Sequence, residues 1–113
     1  MKTLKHTQYR SFWYKKIFYY LQAGQSLVDA VLIAGEDVYT KEIYEKLHTG
    51  TRLSVVCCEY SNIFSHTELS LIEIGEKTAM TKEIFFTLST LLNTRSAQKT
   101  KLVSLLIYPL LVL

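Results

Sequence analysis

The side chains able to do chemistry in this sequence are three histidines, two adjacent cysteines and a Gly-Glu-Lys-Thr run. His6, His48 and His66 are scattered, and none forms a pair one helical turn apart of the kind a metal helix uses. Each reads as a surface or capping residue. Cys57 and Cys58 are neighbours, so on a helix they point about 100° apart and poorly suit one tetrahedral site. They read as reduced thiols, partly buried. Gly75-Glu76-Lys77-Thr78 resembles the end of a phosphate-binding loop only superficially. Glu76 stands where the Gly before the Lys must be, position 71 is Leu, and a helix rather than a strand precedes the run. A carboxylate there repels phosphate. Asp29, Glu73, Glu76 and Glu83 show no spacing that pairs an acid with a base, and no Ser–His or Cys–His arrangement is legible. The expectation is therefore no enzyme activity, no cofactor and no metal.

The element that organises the chain is an amphipathic helix between Phe64 and Met80. Ser65 and Glu68 have the spacing of a capping box, in which the hydroxyl accepts from a first-turn amide and the Glu reaches back to the cap. Leu69, Ile72 and Gly75 recur at helical spacing, and Leu71 and Ile74 widen the apolar face. A Gly late on that face lets another backbone come close or lets the chain leave the helix.

Around this helix the chain reads as a small all-α domain. At 113 residues and 49% hydrophobic, with one Pro and four Gly, it suits helices better than a turn-rich sheet. A net charge of +3 is too small to argue for nucleic acid. Residues 1–10 read as a flexible basic lead-in. Phe12 to Leu21 is strongly aromatic, but Lys15 and Lys16 interrupt it and rule out a signal peptide. As a helix it places Trp13, Ile17, Tyr20 and Leu21 on one face, with Tyr14 and Phe18 further round. This suits a core helix, a membrane-surface or partner face, or both if the outer aromatics stay exposed.

Ala23-Gly24 ends that helix. Ser26 and Asp29 read as a second capping box. Leu27, Ala30, Val31 and Ala34 then make a stripe of mostly small residues suited to close helix packing. Gly35-Glu36-Asp37 ends it, and Thr40 caps a helix over Lys41–Leu47. Leu53, Val56 and Cys57 suggest a short helix to about Tyr60, with a strand as the alternative. After Thr78, with Thr78 or Thr81 as cap, Ile84, Leu88, Leu91 and Leu92 mark a last helix. A polar interval holding Arg95, Lys99 and Lys101 precedes an uncharged run from Leu102 to Leu113. A bilayer span needs about 20 such residues. The run reads as a truncated first transmembrane helix or as a buried C-terminal helix, and its near lack of a polar face favours the former.

Several of these segments resemble one family. Ile63-Phe64 followed by Leu69-x-x-Ile72-x-x-Gly75-Glu76 is similar to the F-domain of the inner-membrane platform proteins of type II secretion and type IV pilus systems. Ala23-Gly24-x-x-Leu27-x-x-Ala30, Gly50-x-x-Leu53-Ser54 and Lys101-Leu102 through Tyr108-Pro109 match its other motifs in order. The resemblance covers about Phe12 to Leu113, and the aromatic N-terminus leans towards the toxin-coregulated pilus branch. One departure is Ala79, where the family usually has Gly.

The resemblance implies an antiparallel bundle of about six helices over residues 11–100 on the cytoplasmic side of the inner membrane. The start of a transmembrane helix would follow at 101–113. It implies a scaffold coupling an assembly ATPase to pilin polymerisation, with the ATPase, other inner-membrane pilus or secretion proteins and pilin as partners, and a homo-oligomer of the full-length protein. The interaction candidates are Lys15, Lys16, Tyr19, Gly75 and Glu76. The competing reading is a soluble helical adaptor or regulatory domain that binds a partner through the apolar segment.

Overall fold

The computed structural model describes residues 2–93, and these form six helices. They are α1 (Thr7–Gln22), α2 (Leu27–Ala34), α3 (Val38–His48), α4 (Leu53–Cys58), α5 (His66–Thr78) and α6 (Thr81–Asn93). Each helix packs against its neighbours in the chain, and α6 closes the ring by packing along α1, its most extensive partner. The two run antiparallel, since Gln8 meets Asn93 and Ser11 meets Ser89. No helix among the described residues is long and apolar enough to cross a membrane. The expected transmembrane start at 101–113 lies outside the described residues.

The core is aromatic at its centre. Trp13, Tyr14, Phe64 and Phe85 are fully buried, with ring centroids 5.4 Å (Trp13–Tyr14), 6.0 Å (Trp13–Phe64) and 5.8 Å (Tyr14–Phe85) apart. Tilted rings at these separations gain beyond their burial. Ala30, Val31 and Ala34 bury the small-residue face of α2, as their spacing suggests. Gly35 lies so close to Trp13 that a Cβ there would stand 3.0 Å from the indole Cδ1. Leu53, Val56 and Cys57 take the helical alternative rather than the strand, and all three are buried.

Four local readings change in three dimensions. Residues 2–10 are part of the bundle rather than a lead-in: Leu4 is fully buried, α1 begins at Thr7, and Arg10 lies inside. Tyr14 sits at the centre of the core rather than at the edge of its face. Helix α3 starts three residues earlier than the Thr40 cap implies, with Asp37 at the N-cap position. Thr40 is buried and donates its hydroxyl to Asp37 Oδ1. Ile74, expected to widen the apolar face of α5, is 49% exposed, because α4 and α6 cover only the Ile72–Gly75 side.

Candidate functional site

Helix α5 carries a carboxylate near each end, and each ties distant parts of the chain together. At its N-terminus the capping box forms in full. Ser65 Oγ accepts from the Glu68 amide at 3.2 Å, and Glu68 Oε2 accepts from the Ser65 amide at 3.0 Å. The same carboxylate also receives α1. Arg10 Nε donates to Oε1 at 2.8 Å, Arg10 Nη2 to Oε2 at 3.2 Å, and the Tyr14 hydroxyl to Oε1 at 2.8 Å. Arg10 Nη1 donates in turn to the Leu4 carbonyl at 2.8 Å. A buried charge pair holds only if its polar atoms are hydrogen-bonded, and here each nitrogen of Arg10 and each oxygen of Glu68 has a partner.

The electrostatics follow from those contacts. Burial pushes the Glu68 carboxyl up, but the bonds from Arg10, the Ser65 amide and Tyr14, with the Arg10 charge, outweigh it and hold the group below the usual carboxylate range. Burial, then the Glu68 charge, drive the Tyr14 phenol well above its ordinary value, so it stays a donor. A second carboxylate extends the cluster. Asp37 accepts from the Leu4 amide at 3.1 Å, from Tyr9 Oη at 3.3 Å and from Thr40. Residues 4–14 are therefore clasped between the start of α3 and the start of α5.

At the other end of α5, Glu76 reaches across to α4. Its Oε2 accepts from the Ser54 amide at 2.9 Å and its Oε1 from the Ser54 hydroxyl at 2.6 Å. Arg52, the residue before α4, makes no side-chain cap bond, so Glu76 satisfies a first-turn amide of that helix from 22 residues away. Gly75 provides the close approach beside it: a Cβ there would stand 2.9 Å from Ile84 Cγ1 and 3.4 Å from the Thr81 backbone. The chain then turns at Ala79, whose φ of 58° is the left-handed conformation usually given to Gly. The Met80 amide donates to the Gly75 carbonyl at 2.9 Å, closing the turn. Thr81 is the first residue of α6, and the Met80 carbonyl accepts from the Ile84 amide at 3.0 Å. Glu76 also lines an open groove of about 440 Å³ with Arg52, Val55, Cys58, Glu73 and Lys77.

The interaction candidates thus fall in two places. Lys15, Lys16 and Tyr19 are exposed on the outer side of α1. Gly75 is buried and Glu76 half-buried between α4, α5 and α6. The histidines stay apart. His6 accepts from the Thr3 amide, His48 stacks on Tyr44, and His66 opens α5. Among the described residues no three His, Cys, Asp or Glu side chains gather as a metal site. Cys57 is buried, which drives its thiol pKa far up, and Cys58 is exposed; neither is in a disulfide. Arg10 and Asp37 are the residues that sequence reasoning missed. The signal for Arg10 was its place on the Tyr14–Ile17 stripe, where an apolar face carrying a cation calls for an acid opposite.

Inward-facing carboxylates of α3 and α5 thus hold the six helices of this bundle together. The sequence model of the family described as "Type II secretion system (T2SS), protein F" matches residues 13–113. The chain belongs to that family and is a component of secretion or pilus machinery. Comparison with curated proteins finds no match.

Proposed function

We propose that this chain is the cytoplasmic domain of an inner-membrane platform protein, which couples an assembly ATPase to the extraction and stacking of pilin subunits through protein contacts alone. The observation that carries the reading is the family match over residues 13–113, which takes in both the helical bundle and the apolar segment from Leu102. The ATPase, neighbouring inner-membrane proteins and pilin are its partners, and the full-length platform is a homo-oligomer.

The physical basis is transmission of force. Packed interiors resist compression, so a displacement applied to one helix moves its neighbours. The α1–α6 pair suits this task. Ser11 Oγ donates to the Ser89 carbonyl at 2.8 Å, and Gln8 Nε2 to Asn93 Oδ1 at 3.1 Å, so the end of α6 is tied to the start of α1. The polar interval after Asn93 leads to the apolar segment in sequence. A triglycine inserted between Asn93 and Thr94 of the platform protein tests the link. Pilus assembly is expected to be lost while the protein accumulates normally in the inner membrane. Unchanged assembly rules out rigid transmission.

A further inference from the structure

We propose that the outer face of α1 rests on the surface of an anionic bilayer, through Phe12 and Tyr19 at headgroup depth and Lys15 and Lys16 against lipid phosphates. The inference rests on the membrane-platform reading for the nearness of a bilayer, and adds a second contact that does not use the apolar segment.

The face is built from residues the core does not need. Phe12 is 51% exposed and Tyr19 54% exposed, although Trp13, Tyr14 and Ile17 on the same helix are fully buried. At seven residues apart, Phe12 and Tyr19 lie along one outward ridge, with Lys15 and Lys16 on either side. Aromatic surface continues across the seam to α6. The Phe18 ring lies 5.4 Å from that of Tyr19 and 5.1 Å from that of Phe86, itself 49% exposed.

Charge selects the occupant. Helix α1 has no acidic residue, and its third cation, Arg10, is spent on Glu68 inside the bundle. Lys15 and Lys16 have no carboxylate partner among the described residues. Across the seam, Lys82 and Glu83 of α6 balance each other, so the face remains positive. The described grooves lie between α4 and α5 and beside Asp37, not on this ridge of rings and lysines, so neither offers it a pocket for a protein partner's anchor. The ridge matches what a lipid surface takes: amphipathic rings at the interface and lysines drawn to anionic headgroups.

The chain's course agrees. Gln8 holds Asn93, so the chain leaves α6 beside the α1 end that carries Phe12. From Asn93 to Leu102 is nine residues, a reach of at most about 30 Å. Arg95, Lys99 and Lys101 in that interval add to the attraction.

The test uses the 113-residue chain bearing Tyr19→Trp, mixed with vesicles of phosphatidylcholine alone or with phosphatidylglycerol, each with brominated acyl chains. Trp13, the native tryptophan, is buried and contributes little quenching. Emission from the Y19W reporter is expected to be quenched in the anionic vesicles and several-fold less in the zwitterionic ones. Adding K15Q/K16Q is expected to lower the bound-to-free ratio of the face roughly thirtyfold, and Phe12→Ser to lower it further. Insertion of the apolar segment is followed separately by resistance to alkaline extraction. Quenching without insertion supports the face and leaves the transmembrane reading untouched, because the 12 residues from Leu102 to Leu113 fall short of the about 20 that a span needs. Insertion without quenching overturns this proposal and leaves that reading standing. Protection of the reporter from iodide that grows with protein concentration in the absence of lipid also overturns it, and assigns the face to a second copy of the chain.

Discussion

The two carboxylates of α5 do similar work in different surroundings. Glu68 is 1% exposed and accepts from Arg10, Tyr14 and the Ser65 amide, whereas Glu76 is half-buried and, among the described residues, accepts from Ser54 alone. Both satisfy a helix N-terminus, Glu68 its own and Glu76 that of α4. Losing a partner at the first leaves a charge stranded in the core. At the second, water replaces what is lost. Burial, more than the number of bonds, therefore separates a lock from a clasp.

The largest expected effect comes from stranding the buried charge. Arg10→Ala should cost about 3–5 kcal/mol, read from the urea midpoint. Its pH dependence should also change sign. In the native protein the Glu68 pKa is depressed on folding, so its contribution is present above the unfolded carboxylate value and is lost as pH falls through the folded one. Without Arg10, burial dominates and the folded pKa rises above the unfolded one, so acidification should stabilise the variant as pH falls from the folded value to the unfolded one, a window that lies above the native one. A native-like acid slope in Arg10→Ala would mean that Arg10 does not set the charge state of Glu68.

A smaller effect is expected at the close approach. Gly75→Ala places a methyl 2.9 Å from Ile84 Cγ1. Overpacking should cost about 1–2 kcal/mol after the gain in helix propensity offsets part of it. Ile84→Ala in the same chain should recover part of that loss, and a double-mutant cycle measures the coupling. Breaking the clasp is milder still. Glu76→Ala should cost about 1 kcal/mol, the value of a helix cap, and should loosen α4 first in hydrogen exchange. If Glu76→Ala proves as costly as Arg10→Ala, the distinction drawn between the two ends of α5 collapses. The smallest change runs the other way. Ala79→Gly should stabilise by about 0.5–1 kcal/mol, because the left-handed backbone penalises a Cβ.

Much of the helical frame was legible in local signals. Ser65 with Glu68 marked the start of α5, Ala23-Gly24 the end of α1, and the small stripe on α2 its burial. Ser26 does accept from the Asp29 amide at 3.2 Å, although among the described residues the reciprocal half of a box is made only at α5. The legible part of the candidate site was Gly75-Glu76 as a helix-end pair. Its partner Ser54 was not, because nothing local says which amide a carboxylate will meet. The lead-in reading of residues 1–10 failed for a related reason. Lys2, Lys5 and Arg10 look like solvated charge until Glu68 and Asp37 are known to lie opposite Arg10 and Leu4.

By itself, the sequence determined that this chain is helical, roughly where its helices start and stop, and that it carries the order of motifs of a secretion-system family. Those properties depend on residues within a few positions of one another. Tertiary structure alone decided that Glu68 meets an arginine 58 positions away and that Glu76 caps a helix 22 positions away. It also decided that Phe12 and Tyr19 stay outside while Trp13 and Tyr14 go in. The physical reason is that burial and the pairing of charges depend on which helices stand face to face, and no spacing along one helix encodes its neighbour.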